Sequence, residues 1–157
     1  MSSARGGRRF DSPEQEAFLN LWRTYDRLRA FEDELFAAYD LTPQLYNLLR
    51  LLKAARPDAV PTLALADRLV SRAPDVTRML DKLEARGLVA RARSAEDRRS
   101  VLVEITDAGS AELARIAGPL RACHARQLGH LSPADLERLT ELLKAARAPH
   151  EPSETWK

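Results

Sequence analysis

The sequence predicts a mainly α-helical fold with one two-stranded β-hairpin, and three observations predict it. Apolar residues recur at three- and four-residue steps over most of the chain. Two short helical stretches meet at a tight corner at 71–74, and a single region, 88–105, alternates in twos around a charged break.

The elements follow in order. Residues 1–12 are rich in Ser, Gly and Arg and have little to pack, so a flexible basic arm is expected. Ser12-Pro13-Glu14-Gln15 supplies an N-cap, a proline at the first helical position and a capping-box glutamine. Phe18, Leu21, Trp22, Tyr25, Leu28, Leu35 and Tyr39 then mark a long amphipathic helix running to about Asp40. Such a length exceeds what a small globule needs on its surface, which points to a partner helix. Thr42-Pro43 repeats the start signal for a second helix, with Leu45, Leu48, Leu49 and Leu52 inward until Pro57, and a loop is expected over 56–61. Thr62 is expected to cap a compact helix burying Leu65, Ala66 and Leu69. After the corner, Val76, Met79, Leu80 and Leu83 define a further helix, from about Ala73 to Arg86, that Gly87 ends. Two short helices across a three- or four-residue turn form a helix-turn-helix pattern.

Two β segments come next, 88–93 and 101–105, joined by a tip holding Glu96, Asp97, Arg98 and Arg99. Thr106-Asp107 caps another long helix carrying Leu113, Ile116, Leu120, Cys123 and Leu128, with a bend expected at Gly118-Pro119. Ser132-Pro133 opens the last helix, striped by Leu136, Leu139, Leu142 and Leu143, and a flexible tail is expected over 148–157.

Composition narrows the function. At 157 residues, 45% apolar and 31% charged, the chain should fold as about one domain. A single cysteine, Cys123, leaves no intramolecular disulfide and suits a reducing cytoplasm. No apolar run approaches the roughly 18 residues of a membrane span, so no membrane partner is expected and a cytoplasmic location is. The net charge of +2 argues against indiscriminate nucleic-acid binding, but its distribution is uneven. Residues 68–99 hold nine Lys/Arg against five Asp/Glu, and residues 1–9 add three Arg, while the remainder has thirteen basic and eighteen acidic residues. Positive charge is concentrated on the helix pair and hairpin.

Those residues suit duplex DNA. With Val76, Leu80 and Leu83 inward, Asp75, Thr77, Arg78, Asp81 and Lys82 face solvent or the flanks. Arginine pairs bidentately with guanine and threonine contacts the thymine methyl, although a solvated face reads the same way. On the hairpin, Arg91 and Arg93 share a face, and Arg98 and Arg99 sit at the tip, where a narrow minor groove attracts a guanidinium. Asp97, two residues before Arg99, is placed to orient that side chain by a charge-assisted pair.

The runs Leu65-Ala66-Asp67-Arg68-Leu69, Val76-Thr77-Arg78-Met79-Leu80-Asp81-Lys82-Leu83-Glu84-Ala85-Arg86-Gly87-Leu88-Val89, Asp97-Arg98-Arg99-Ser100-Val101-Leu102-Val103 and Thr106-Asp107-Ala108-Gly109 resemble the MarR (multiple-antibiotic-resistance regulator) family in order and spacing. The resemblance spans about 13–148. It implies a winged helix-turn-helix regulator, more often a repressor than an activator, acting as a homodimer on a pseudo-palindromic operator. Helical segments at 13–40 and 107–147 would form the dimerisation region and 41–106 the DNA-binding lobe. Residue by residue it implies recognition-helix contacts by Thr77 and Arg78, a minor-groove Arg99 and an orienting Asp97. Asp75 departs from the small residue usual there and reads either as a helix cap or as an acceptor for cytosine N4.

The full expected DNA-contacting set is Arg72, Asp75, Thr77, Arg78, Lys82, Arg91, Arg93, Asp97, Arg98 and Arg99. The resemblance also implies a small aromatic or phenolic effector in a crevice, for which Trp22, Tyr25, Arg29, Tyr46 and Met79 are candidates. At helical spacing the apolar ones among them read equally as core. Catalytic readings find little support. Cys123, His124 and His130 match no zinc spacing, Cys123 continues an apolar stripe, and no phosphate loop, HExxH or GxSxG string occurs, so no enzyme activity, metal or cofactor is expected. The competing class is a winged-helix protein-interaction module that does not bind DNA, which the salt dependence of binding to duplex DNA would distinguish.

Overall fold

The computed structural model describes residues 10–69 and 75–151. The long helix α1 spans Pro13–Ala37, followed by α2 (Pro43–Ala55), the two-residue strand β1 (Val60–Pro61), α3 (Thr62–Arg68) and α4 (Val76–Ala85). Strands β2 (Val89–Arg93) and β3 (Val101–Ile105) precede the long α5 (Asp107–Leu128), α6 (Pro133–Arg147) and a last 3-10 turn. Among the described residues no helix is long and apolar enough to cross a membrane. The corner at 71–74, and Arg72 within it, lie outside the described residues, as do most of the expected arm and tail.

Local chemistry explains the helix starts. Ser12, Thr42, Thr106 and Ser132 each accept a hydrogen bond from the backbone N–H three residues on, satisfying a donor that has no intrahelical partner. Thr62 does not act in this way. Pro61 holds the cap position of α3, and the Thr62 hydroxyl donates to the Val101 carbonyl at 3.1 Å. The reason is β1, read from the sequence as part of a loop. Val60 and Pro61 pair antiparallel with Val103 and Leu102, which makes the sheet three-stranded in the order β1-β3-β2 and starts α3 against β3.

The helix ends also have causes. The first helix stops at Ala37, short of Asp40, which takes a positive φ of 52° at the corner into α2. Gly87, at φ 71°, closes α4: its N–H donates to the Glu84 carbonyl at 2.8 Å and that of Leu88 to the Leu83 carbonyl at 3.0 Å, a complete Schellman motif. Helix α5 runs through Pro119 as one element.

The core lies between α2, α3, α4, α5 and the sheet. Phe36, Leu48, Leu49, Leu52, Leu65, Leu80, Leu83, Val103, Ile105 and Ile116 are essentially inaccessible. The two long arms are different. Phe36 is the one buried residue of α1 and none of α6 is buried, while Phe18, Leu21, Trp22, Tyr25 and Leu142 remain about half or more exposed. Buried Gln127 ties α5 to α1, donating from Nε2 to the Leu28 carbonyl at 2.8 Å.

Candidate nucleic-acid interface

Helix α4 turns Leu80 and Leu83 into the core, which leaves Thr77, Arg78 and Lys82 exposed on its outer side. Asp75 is the N-cap: its Oδ1 accepts the Arg78 backbone N–H at 2.9 Å, and Oδ2 lies 3.5 Å from Arg78 Nε. Of the two sequence readings of Asp75, the free chain therefore displays the cap. The Arg78 side chain stays 77% exposed, and a guanidinium engaged through Nε keeps its terminal edge available for a guanine.

The hairpin beyond β2 is shaped by its own polar groups. Ser94 N–H donates to the Ser100 carbonyl at 2.9 Å, and Ser94 Oγ accepts from the backbone of Glu96 and Asp97. Asp97 Oδ1 accepts the backbone N–H of Arg99 at 3.0 Å. The expected pairing of Asp97 with the Arg99 guanidinium is thus replaced by a bond to its main chain. A two-residue step forms an Asx-type turn more readily than it lets a long side chain fold back. Arg93, Arg98 and Arg99 are exposed, and among the described residues their side chains have no hydrogen-bond or ion-pair partner.

Arg91 departs from the expectation of a free DNA-facing cation. Its Nε donates to Glu84 Oε2 at 2.7 Å, and its Nη2 donates to Asp81 Oδ1 at 2.6 Å and also to Glu84. Hydrogen bonding to Glu84, then to Asp81, holds the guanidinium even more firmly protonated than usual. Sequence reasoning missed these carboxylates as partners. The available signal was that Asp81 and Glu84 share a helix face, and that the Gly87 stop folds β2 back along that face. Arg86 is also committed, donating to the carbonyls of Asp40 and Tyr39 at 2.7 and 3.1 Å.

A cavity of about 510 Å³ opens between α1, α2 and α5. Tyr25, Arg29 and Tyr46 line it as the sequence suggested, together with Glu32, Phe36, Asn47, Arg50 and His124, which it did not. Trp22 is not among its walls, since it lies a turn earlier on α1 with its exposed ring beside Phe18, centroids 6.3 Å apart. Met79 lines a separate hollow of about 280 Å³ with Asp75, Arg78 and Lys82. Arg29 already pairs with Asp33 at 3.3 Å, and Arg50 donates to Asn47 at 3.5 Å.

Cys123 is buried, and burial, followed by the charge of Glu32, pushes its thiol up from the ordinary range. His124 Nδ1 lies 2.8 Å from Gln127 Oε1, and among the described residues no group of His, Cys, Asp and Glu could hold a metal ion.

Comparison with known proteins matches this architecture. The MarR family model matches residues 41–101, from the start of α2 to β3. The HTH-type transcriptional regulator YkoM of Bacillus subtilis is 31% identical over 142 residues, covering 87% of this chain and 90% of that protein. The transcriptional repressor MprA of Escherichia coli K12 is 25% identical, covering 92% of this chain and 83% of MprA. The crystal structure of a MarR transcription factor from Planctomyces limnophilus superposes with a TM-score of 0.69 at 50% identity, over 87% of this chain and 99% of that one. With a helix-turn-helix and wing matched inside a likeness that runs nearly end to end, the chain belongs to the MarR family of transcriptional regulators, which are not enzymes.

Proposed function

We propose that this DNA-binding transcription regulator is a homodimeric repressor that reads a pseudo-palindromic operator and is released by a small aromatic or phenolic acid. The observation that carries this reading is the pairing of an exposed Thr77-Arg78 face on α4 with a stiff hairpin tip that holds Arg98 and Arg99 free of protein partners among the described residues. Helix α4 enters the major groove, where Arg78 faces guanine O6 and N7, Thr77 a thymine methyl and Lys82 a phosphate. Arg93 lies along the wing, whose tip reaches the adjacent minor groove. Arg72 belongs to the same proposed surface. The sign of regulation follows MprA, whose name is that of a repressor.

The dimer is supported by the apolar stripe that α1 leaves exposed and by α6, no residue of which is fully buried. Covering Phe18, Leu21 and Trp22 with a twofold mate removes a patch that a monomer would leave in water. The effector is supported by the cavity between α1 and α5 of the dimerisation region and α2 of the reading lobe. Tyr25, Phe36 and Tyr46 offer ring contacts there, and Arg29 and Arg50 offer a cation for a carboxylate. Such a ligand acts through unequal affinity for the lobe spacings that do and do not fit two half-sites.

Selection of duplexes from fragments of the parent genome, followed by titration of the best-bound duplex at several salt concentrations, tests the reading. It predicts enrichment of a pseudo-palindrome and an affinity that falls steeply with salt, whereas an interaction module would enrich nothing. Trp22→Glu places a charge in the proposed dimer seam and should give a monomer in sedimentation. A dimer that survives it would remove α1 from the interface.

A further inference from the structure

Helix α4 carries two carboxylates, Asp81 and Glu84, on the part of the molecule proposed to approach a polyanion. Left unpaired they would oppose binding, since like charges repel across the desolvated contact. Instead both converge on one guanidinium of the neighbouring strand. Arg91 Nε reaches Glu84 at 2.7 Å and Nη2 reaches Asp81 at 2.6 Å, with a second bond from Nη2 to Glu84. The Arg91 side chain is only 23% exposed, against 77% for Arg78.

The strand end of this connection is rigid. Arg91 sits at the middle of β2, opposite fully buried Val103 of β3, and the pairing runs from Val89 with Ile105 to Arg93 with Val101. The helix end is rigid as well, because Leu80 and Leu83 are fully buried and Arg86 fastens the C-terminus of α4 to the α1–α2 corner. A fork joining two such elements fixes the distance and angle between them.

We propose that Arg91, held by Asp81 and Glu84, is a positioning residue: it locks the wing to the recognition helix so that major-groove and minor-groove contacts fall in register. It acts on DNA through the hairpin that carries Arg98 and Arg99 rather than by touching a phosphate. This inference rests on the DNA-reading surface proposed above and adds a specificity element made of acidic residues.

The test uses the full chain, a duplex selected as above and a random-sequence duplex of equal length. Glu84→Gln is nearly isosteric and removes a negative charge. Were Arg91 a phosphate contact, freeing it and deleting a carboxylate would tighten binding to both duplexes. The clamp predicts the opposite: about tenfold weaker binding to the selected duplex, and affinity for random sequence within about twofold of wild type.

Arg91→Lys keeps the charge but not the fork, and should weaken selected-duplex binding similarly while random binding holds, with an unchanged circular dichroism spectrum for both variants. A double variant, Glu84→Gln with Arg99→Ala, should bind the selected duplex within about twofold of Arg99→Ala alone, because a wing that has already lost its tip contact gains little from being held in register. Equal or tighter binding by Glu84→Gln, wild-type affinity in Arg91→Lys, or fully additive losses in the double variant would each overturn the clamp and leave the DNA reading standing. A wild type that enriches no sequence overturns both.

Discussion

Arg99→Ala isolates the wing tip, because the side chain is exposed and, among the described residues, has no hydrogen-bond or ion-pair partner. Only the Arg99 backbone N–H is engaged, by Asp97 Oδ1 at 3.0 Å, and alanine keeps that bond. Loss of fold stability should therefore stay within about 0.5 kcal/mol, a shift in Tm of less than about 2 °C for a domain of this size. Binding should respond far more. A good arginine contact in a groove contributes on the order of 1–3 kcal/mol, so a twofold dimer losing both stands to lose about 2–6 kcal/mol. That corresponds to a weakening of between about thirtyfold and twenty-thousandfold. The slope of log affinity against log salt should become shallower by about 0.9 per arginine, close to 2 for the dimer. Fluorescence anisotropy on the selected duplex at several salt concentrations reads both quantities, with thermal melting as the control. Affinity within twofold of wild type, or a loss matched by a large fall in Tm, would refute the assignment of the tip.

Two further outcomes follow from local structure. Gly87→Ala forces a side chain into φ 71° at the Schellman turn, although open space surrounds the position, and should cost about 1–2 kcal/mol in denaturant unfolding; an unchanged midpoint would contradict the turn. Cys123, buried and with its thiol pushed up by that burial and by the charge of Glu32, should react with a thiolate-directed alkylating reagent at neutral pH at least about a hundredfold more slowly in the native than in the unfolded protein; equal rates would place it at the surface.

What could be read from sequence was whatever a few adjacent residues decide. The caps at Ser12, Thr42, Thr106 and Ser132, the stop at Gly87 and the strand over Val101–Ile105 all depend on neighbours within about four positions. Strand β1 escaped because two residues, one of them a proline, carry no alternation; only its partner Val103, some forty positions away, makes it a strand. Thr62 followed the same error, as its hydroxyl is diverted to Val101. The carboxylate partners of Arg91 are not legible in the sequence, because they lie seven and ten positions back and meet it only after the chain reverses at Gly87. Tyr25 and Trp22 share one stripe, yet only Tyr25 reaches the cavity. Periodicity assigns a face, whereas the packing of α2 and α5 decides which turn of that face is enclosed.

The same distinction applies to the positive charge concentrated in residues 68–99. Nine basic residues lie there, but the fold does not offer them equally. Arg91 is matched by Glu84 and Asp81, Arg86 by two backbone carbonyls, and Arg78 leans on Asp75 while presenting its outer edge for a base. Within 68–99, Lys82, Arg93, Arg98 and Arg99 are the exposed cations without a side-chain partner among the described residues. Together with Arg72 and Arg78 of the proposed surface they make six cations in each protomer, which in a dimer would displace about twelve counterions and give a salt slope near −11 on the selected duplex. Were all nine basic residues engaged in both protomers, the slope would approach about −16. A measured slope steeper than about −13, more than the seven residues other than Arg86 and Arg91 could give in both protomers, would mean that the internal pairs of Arg86 and Arg91 open on DNA, and that the Arg91 clamp exists only in the free protein.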